Sequence, residues 1–268
     1  MRTLNRAILL SVTVLAAALA CGTDARAQSP ASSTALGTDR FFLGFVEDTA
    51  LVNKQWWEGQ VDFSDYDNLD QTRLRLVTAF RPVSRLELGG SLAYGWSSNS
   101  DTLPTGSGLS DLNLWGKWNF GTVGGATEFA AGGLITAPTG DDSAGLGYDA
   151  FAVEGFGALR HRVNDWIINA HVGLQFNGDG RIYGTDLNGK TSAILGGGVL
   201  WGVSTRVSLV GELGIRTERF EDTDSDSRVL VGINWRPANQ GAVRGAISIG
   251  LTDGAPNFQV LAGYAYTF

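Results

Sequence analysis

The chain ends in the stretch Phe258-Gln-Val-Leu-Ala-Gly-Tyr-Ala-Tyr-Thr-Phe268, whose side chains alternate between apolar and mixed positions. In an extended strand, every second residue from Phe258 to Phe268 points to one face, and this face is apolar and largely aromatic. A long edge strand with such a face would invite aggregation in water. A closed barrel in a bilayer removes the edge, and lipid covers the apolar face. The stretch therefore predicts the last strand of a transmembrane β-barrel.

The same stretch resembles the C-terminal signal of bacterial outer-membrane β-barrels, because Gly263, Tyr266 and the terminal Phe268 fit that signal. Leu261 departs from it, since a polar residue is usual at this position. The resemblance implies that the barrel-assembly machinery binds the C-terminal strand. It also implies that outer-membrane lipid and lipopolysaccharide surround the barrel.

The alternation recurs upstream from Trp57 onward, and we predict an all-β, transmembrane, antiparallel up-and-down barrel of about twelve strands. Short connections are predicted at residues 81–84, 121–125, 160–165, 202–206 and 236–242. Mostly longer loops lie between them, at 97–109, 137–149, 177–190 and 217–227, and an aspartate-rich loop is predicted between Phe63 and Arg73. Bacterial barrels place short turns in the periplasm and long loops outside. With both termini in the periplasm, every short connection falls on the periplasmic side.

Aromatic side chains cluster near both ends of the predicted strands. Trp57, Trp166 and Trp235 lie near predicted periplasmic ends, whereas Phe63 and Trp96 lie near outer ends. Two such belts are typical of the two membrane–water boundaries of a barrel. In the alternative, a water-soluble β-sandwich, aromatic residues would be scattered along the apolar face. The clustering favours the membrane barrel.

Residues 1–27 predict a cleaved signal peptide, with a basic start, an uncharged apolar run over 7–20 and the cleavage motif Ala25-Arg-Ala27. The alternative is a lipoprotein acylated at Cys21, the only cysteine of the chain. Cleavage after Ala27 would leave no cysteine, and therefore neither a disulfide nor a thiol site.

Residues 28–55 fit the alternating pattern least well. Their Ser/Thr/Ala-rich start leads into Phe41-Phe-Leu-Gly-Phe-Val46, followed by acidic residues. We predict that they form a periplasmic lead-in or a plug inside the lumen, and that residues 56–268 form the barrel. A further strand is the third alternative for this segment.

The composition excludes some functional classes. The net charge of −7 and the lack of a basic stripe argue against nucleic acid as a partner. The Gly-rich segment 140–147 lacks the Lys and the strand-to-helix context of a phosphate-binding loop. We therefore expect no cofactor.

Polar and charged side chains alternate with the apolar ones and are expected to face the lumen. They are predicted to line a transport path: Arg73, Arg75, Glu87, Asp111, Lys117, Glu128, Glu154, His171, Glu212, Arg216, Arg228 and Arg244. Both charge signs are present, which indicates either a narrow, weakly selective pore or a lumen filled by ion pairs. Twelve strands enclose more space than eight and less than sixteen. We favour a monomeric channel for small solutes.

The sequence is compatible with three other functions. The barrel could be a closed structural or surface-interaction protein that acts through its acidic outer loops. It could be a lipid hydrolase with His171 as the base and Ser91, Ser192 or Ser208 as the nucleophile. Finally, Asp222, Asp224 and Asp226 resemble the start of a calcium loop. However, Ser227 and Ile233 stand where such a loop needs Gly and Glu, so a weak cation site is the most that they predict.

Two further motifs carry a family resemblance. A strand opening Gly108-Leu-Ser-Asp111 is followed by Pro138-Thr-Gly-Asp141 and then by Gly145-Leu-Gly147. These stretches are similar to a family of outer-membrane barrels named after the meta-pathway of phenol degradation. The resemblance implies passage of small, often aromatic or apolar, compounds across the outer membrane. It implies no catalytic residues.

Overall fold

The computed structural model describes residues 40–42, 47–52, 54–98, 102–238 and 241–268. The predicted signal peptide, Cys21 and residues 28–39 of the predicted lead-in or plug lie outside this set. The described residues form strands, turns and irregular segments. None of their segments is a helix that could cross a bilayer.

The strands follow one another along the chain with mostly short connections. They are β1 (Gln55–Tyr66), β2 (Leu69–Val83), β3 (Leu86–Ser98), β4 (Ser107–Leu109), β5 (Leu112–Val123), β6 (Thr127–Ala137), β7 (Ala152–Val163), β8 (Trp166–Asn177), β9 (Gly180–Ile182), β10 (Thr185–Leu187), β11 (Thr191–Gly202), β12 (Val207–Arg216), β13 (Asp226–Ala238), β14 (Gly241–Gly250) and β15 (Phe258–Thr267). Both β4 and β5 pair with β3 and together make one barrel strand, whereas β9 and β10 form a separate hairpin.

Twelve antiparallel strands close into a barrel. Each strand pairs with its neighbours in the chain, and β2 pairs with both β1 and β3. Closure is completed by β1 and β15, which pair from Trp56↔Thr267 to Asp65↔Phe258. Because every strand has two partners, no long edge is left. The predicted all-β barrel of about twelve strands is confirmed, and Phe258–Thr267 is its last strand.

The two ends of the barrel differ. At the end that we call the turn end, β1 begins, β15 ends and the connections are short, at 84–85, 124–126, 164–165 and 203–206. At the opposite end, the loop end, longer connections lie at 138–151, 178–190 and 217–225. One predicted loop is wrong. The aspartate-rich stretch between β1 and β2 shortens to a two-residue turn, because Asp65 pairs with Asp70 and extends both strands.

The outer face of the barrel is apolar and the inner face is polar. Val61 and Val231 point outward and are 47% and 64% exposed, whereas Glu87 and Lys117 point inward and are buried. Trp166 stacks on Trp201 at the turn end, with ring centroids 5.3 Å apart. Outward-facing apolar strands with aromatic ends are the arrangement of a bilayer-spanning barrel. The fold is therefore that of an outer-membrane-type β-barrel.

Val231 gives a direct test of this orientation, because it lies outward in the middle of β13. We expect Val231→Arg to destabilise the barrel folded in lipid vesicles by about 2–4 kcal/mol, the cost of a cation near the bilayer midplane. The measurement is equilibrium unfolding by denaturant, with Val231→Leu as the control that keeps the face apolar. Equal stability of the Arg and Leu variants would contradict a lipid-facing position.

Candidate functional site

The interior of the barrel holds two features, a chain segment at the turn end and a chamber above it. The segment consists of residues 40–42 and 47–52, which we call the inner segment. Phe41, Phe42, Asp48 and Val52 of this segment are all at least nine-tenths buried. Side chains that point inward from seven barrel strands bind it.

Interior side chains donate hydrogen bonds to the backbone of the inner segment. Lys117 Nζ on β5 donates to the carbonyl oxygens of Asp48 and Ala50, at 2.7 and 2.8 Å. Arg244 Nη2 on β14 donates to the carbonyl oxygens of Arg40 and Phe41, at 2.7 and 2.9 Å. Two asparagine side-chain amides do the same: Asn119 donates to the carbonyl oxygen of Thr49, and Asn169 donates to that of Glu47. Such bonds satisfy carbonyl groups that would otherwise be buried without partners.

Interior carboxylates bind the same segment from other strands. Glu87 Oε2 on β3 accepts the backbone N–H of Val52 at 2.8 Å, and Glu87 also pairs with Arg40. Glu212 Oε1 on β12 accepts the backbone N–H of Phe42 at 2.6 Å. In the reverse sense, Asp48 of the segment pairs with Arg160 on β7. Bonds in which one group is charged are among the stronger hydrogen bonds of proteins.

An apolar row inside the barrel faces the two phenylalanine rings. The row runs across six adjacent strands, β8 to β15, at laddered positions: Ile167, Leu200, Val210, Gly232, Ala246 and Leu261. Phe41 and Phe42 form one buried cluster with the row. A side chain at Gly198 or Gly232 would overlap their rings, because its Cβ would lie 2.4 Å from Phe41 or 2.8 Å from Phe42. The two glycines therefore provide seats for the rings.

The chamber lies between the inner segment and the loop end and has a volume of about 1080 Å³. On one wall, Arg73 Nε donates to Asp62 Oδ1 at 2.9 Å. Arg75 Nη2 lies 3.5 Å from Asp62 Oδ2. On β13, Arg228 pairs with Asp226 and donates to Gln259 at 3.4 Å. Guanidinium groups thus face the chamber from β2 and from β13.

The connection between β6 and β7 folds inward over the chamber. Its Leu146 side chain is buried over Gly95, an inward position of β3, and Gln71 on β2 donates to the carbonyl oxygen of Gly145 at 2.9 Å. Arg219 lies over the Tyr148 ring, 4.6 Å from its centroid, and over Phe220. The loop thus reaches from β6 and β7 to β2 and β3 and narrows the loop end.

The two motifs that carry the family resemblance meet at this loop. Asp111 Oδ1 accepts the backbone N–H of Gly140 at 3.0 Å, and Asp111 Oδ2 accepts that of Tyr148 at 3.2 Å. Asp141 N donates to the carbonyl oxygen of Leu109 at 2.9 Å. The strand opening and the Pro-Thr-Gly-Asp stretch therefore act together as the anchor of the inward loop.

Burial also changes the acidity of groups at the loop end. It raises the pKa of Tyr183 to about 12, so this phenol stays neutral at physiological pH. Hydrogen bonds from Ser143 and from the backbone N–H of Ala144 lower the pKa of the Asp141 carboxyl group.

The predicted lumen residues all have their side chains buried or half-buried inside the barrel, but in two groups. One group binds the inner segment: Glu87, Lys117, Glu128, Glu212 and Arg244. The other group lines the chamber: Arg73, Arg75, Asp111, Glu154, Arg216 and Arg228. His171 is buried beside the second group, with its Nε2 3.9 Å from Glu154 Oε1. That these residues line a transport path stays a prediction.

The two other sequence hypotheses gain no support from the geometry. Ser192 bonds with Asn177 and with the carbonyl oxygen of Glu218, whereas His171 packs against the Phe156 ring. Asp226 begins β13 and its carboxylate binds Arg228. Among the described residues, no three His, Cys, Asp or Glu side chains are grouped as metal ligands. Cation binding by Asp222, Asp224 and Asp226 therefore stays a prediction.

Sequence reasoning missed the apolar row and the purpose of the glycines. The region from Ala193 to Trp201 is weakly patterned because glycines interrupt it, and the structure gives the reason at Gly198. Leu261 was the residue that departs from the C-terminal signal, and it belongs to the apolar row. The glycine-rich stretch and the apolar Leu261 both reflect the two phenylalanine rings that are bound inside the lumen.

Comparisons with known proteins identify the fold. No family model matches the sequence, and no curated protein matches it either. Among solved structures, an outer-membrane channel of Pseudomonas putida F1 is similar, with a TM-score of 0.70 and 19% identity, over 85% of this chain and 100% of that one.

Two porins are also similar in structure. KdgM, solved in complex with a disordered oligogalacturonate, has a TM-score of 0.56 and 10% identity over 80% of this chain and 99% of its own. NanC has a TM-score of 0.55 and 8% identity over 79% of this chain and 100% of its own. At these identities the likeness concerns the fold, and this chain has the fold of the outer-membrane β-barrels.

Proposed function

We propose that the protein is a channel that lets small solutes cross the bacterial outer membrane. The observation that carries this proposal is the charged chamber of about 1080 Å³ inside a closed barrel with an apolar outer face. A purely structural barrel would have no need for a chamber of this size. The similar solved structures, one of them an outer-membrane channel and two of them porins, support the same function.

The proposed solutes are small, and the resemblance to the phenol-degradation family supports aromatic or apolar compounds among them. Outer-membrane lipid and lipopolysaccharide would surround the barrel, and the barrel-assembly machinery would bind its last strand. Export would depend on the predicted signal peptide. The resemblance, rather than the fold, supports this class of solute, because one architecture can carry many functions.

The inner segment is proposed to be a plug that closes the turn end. Its support is the set of interior hydrogen bonds and the burial of Phe41 and Phe42 against the apolar row. Solute would then pass when the segment leaves its binding site. We thus propose the plug among the three alternatives for residues 28–55.

Single-channel recording in planar bilayers tests the function. We expect the mature chain to conduct in discrete steps, and we expect Arg73→Ala combined with Arg75→Ala to shift the reversal potential toward cation selectivity. The reason is that the double variant removes two cations from the chamber wall while Asp62 keeps its charge. Arg181→Ala is the control, since Arg181 is an exposed arginine of the loop end.

Unchanged reversal potentials in the double variant would contradict a path past Arg73 and Arg75. If neither the mature chain nor a chain without residues 40–52 conducts, although both fold, the channel proposal is wrong. The result would then favour the alternative function, a closed structural or surface-interaction barrel.

A further inference from the structure

We propose that the chamber binds small organic monoanions, with a carboxylate held by Arg73 and Arg75 and an apolar body resting on Val77 and Trp115. This inference rests on the proposed function, because it treats the chamber as a place where the solute binds on its way through the barrel. It adds a substrate class and a binding site to that path.

Arg75 is the centre of the site because its donors are largely unused. Its side chain is 25% exposed and lines the chamber. Within the described residues it makes no hydrogen bond, and Asp62 Oδ2, its ion-pair partner, lies 3.5 Å away. A guanidinium group has five N–H donors in a planar fork that matches a carboxylate. Arg75 therefore presents this fork to whatever enters the chamber.

Arg73 strengthens the site from two residues away on the same face of β2. It uses Nε on Asp62 Oδ1, and its side chain is 21% exposed. One carboxylate thus faces two guanidinium groups, so this wall carries an excess of one positive charge. The excess favours an anion in the space before the two arginines.

The positive excess is local to this wall. Over the whole chamber above the inner segment, five arginines face eight carboxylates, a formal excess of three negative charges. The arginines are Arg73, Arg75, Arg216, Arg219 and Arg228, and the carboxylates are Asp62, Asp67, Asp111, Glu154, Asp222, Asp224, Asp226 and Asp253. At the level of the inner segment the lining cations, Arg40, Lys117 and Arg244, equal the lining carboxylates Glu47, Asp48 and Glu58 in number. The anion site is therefore confined to the wall that carries Arg73 and Arg75.

The rim of the chamber acts against highly charged anions. Four aspartates line the cavity at the loop end, namely Asp67, Asp222, Asp224 and Asp253. Each would repel an entering anion, and the repulsion grows with the number of charges that the anion carries. A single carboxylate gains the contact with Arg75 and suffers the least repulsion. Among anions, the rim therefore favours those with a single charge over those with two or more.

An apolar patch lies directly below the arginines. Val77 follows Arg75 on the inner face of β2, about 7 Å along the strand. Val77 and Trp115 are partly buried, pack together with the cluster of Val52, Trp56 and Ala79, and line the same chamber. The inner face of β2 thus changes from charged to apolar over the length of a benzene ring with a carboxylate. The site matches an amphipathic anion rather than an inorganic one.

The experiment is equilibrium binding of 4-fluorobenzoate to the mature, full-length chain in detergent, followed by ¹⁹F NMR line width. 4-Fluorobenzyl alcohol is the neutral probe of similar shape, and protein-free micelles correct for partitioning. We expect Arg75→Gln to weaken fluorobenzoate binding about tenfold or more, the usual effect of losing a charge-assisted pair. Binding of the alcohol should stay the same. Arg181→Gln, with the same change of charge at an exposed site, should bind both probes like the parent.

Folding of each variant is checked by heat-modifiable mobility, and Arg75→Lys provides a second variant that keeps the charge but lacks the fork. We expect Arg75→Lys to bind fluorobenzoate between the parent and Arg75→Gln. Equal affinity of the parent and Arg75→Gln, or no binding to the folded parent, would overturn the inference. Because binding is measured without a bilayer, it can fail while the channel still conducts, or hold while the channel is silent.

Discussion

Deleting residues 40–52 from the mature chain is expected to raise the single-channel conductance severalfold. The deletion removes Phe41, Phe42 and the backbone that Lys117 and Arg244 bind at the turn end. What remains there is the apolar row on one side and, on the other, charged and polar side chains that water can hydrate. The interior of a twelve-stranded barrel then opens along its whole length. The measurement is the unit conductance in planar bilayers.

A second version replaces residues 40–52 by a Gly/Ser linker of equal length, which keeps the chain but removes the two rings and Asp48. It should conduct like the deletion. Heat-modifiable mobility establishes that both variants fold. If both fold and their conductance equals that of the parent, the inner segment does not close the pore.

Gly198→Val is expected to open the channel without removing any part of the segment. The new side chain would occupy the seat of the Phe41 ring, which lies 2.4 Å from the position of its Cβ. Displacing one buried aromatic ring costs about 2 kcal/mol, or roughly a thirtyfold shift toward the undocked segment. We expect a matching rise in the open fraction in single-channel records.

Gly155→Val is the matched control for this change. Gly155 lies in β7, and a Cβ there meets nothing within 4 Å. A double variant sharpens the test, because Gly198→Val should have little further effect once Phe41→Ala has removed the ring. An equal increase with Phe41 present or absent would show that Gly198→Val acts on the barrel wall instead.

The barrel could be predicted from the sequence because its rules are local. Alternation within each strand separates the two faces, and turn residues mark the short connections. Phe258–Phe268 carries both the apolar face and the closing position, and the structure places it against β1. Where the local rule was applied to an aspartate-rich stretch, it failed, because the ladder of Asp65 with Asp70 continues through it.

The contents of the lumen could not be predicted in the same way. Alternation shows that Lys117 and Arg244 point inward, but it does not show what they meet. Their partners lie 67 and 203 residues away in the chain, at Ala50 and Phe41. Only the irregularities pointed there, namely the glycine-broken strand at Gly198 and the apolar Leu261. Such departures have a physical cause inside the barrel rather than along the strand.

The motif at Asp111 shows a third case. The resemblance drew attention to Gly108–Asp111 and Pro138–Asp141 without giving them a task. The structure supplies it, since Asp111 binds the backbone of Gly140 and Tyr148 and so fixes the inward loop. The two motifs that carry the resemblance therefore hold the loop between β6 and β7 in its inward position.

The order of contacts along the inner segment has a mechanical consequence. Arg244 binds residues 40 and 41, Glu212 binds 42, Asn169 binds 47, Lys117 binds 48 and 50, and Glu87 binds 52 as well as the Arg40 side chain. A pull on the chain ahead of Arg40 would load these contacts one after another, as a zipper is loaded, and never all at once. Rupture in series needs a much smaller peak force than rupture in parallel. Since Val52 is joined to β1 at the turn end, the detached segment would stay tethered to the barrel at that end. It could bind again inside the barrel by the same route.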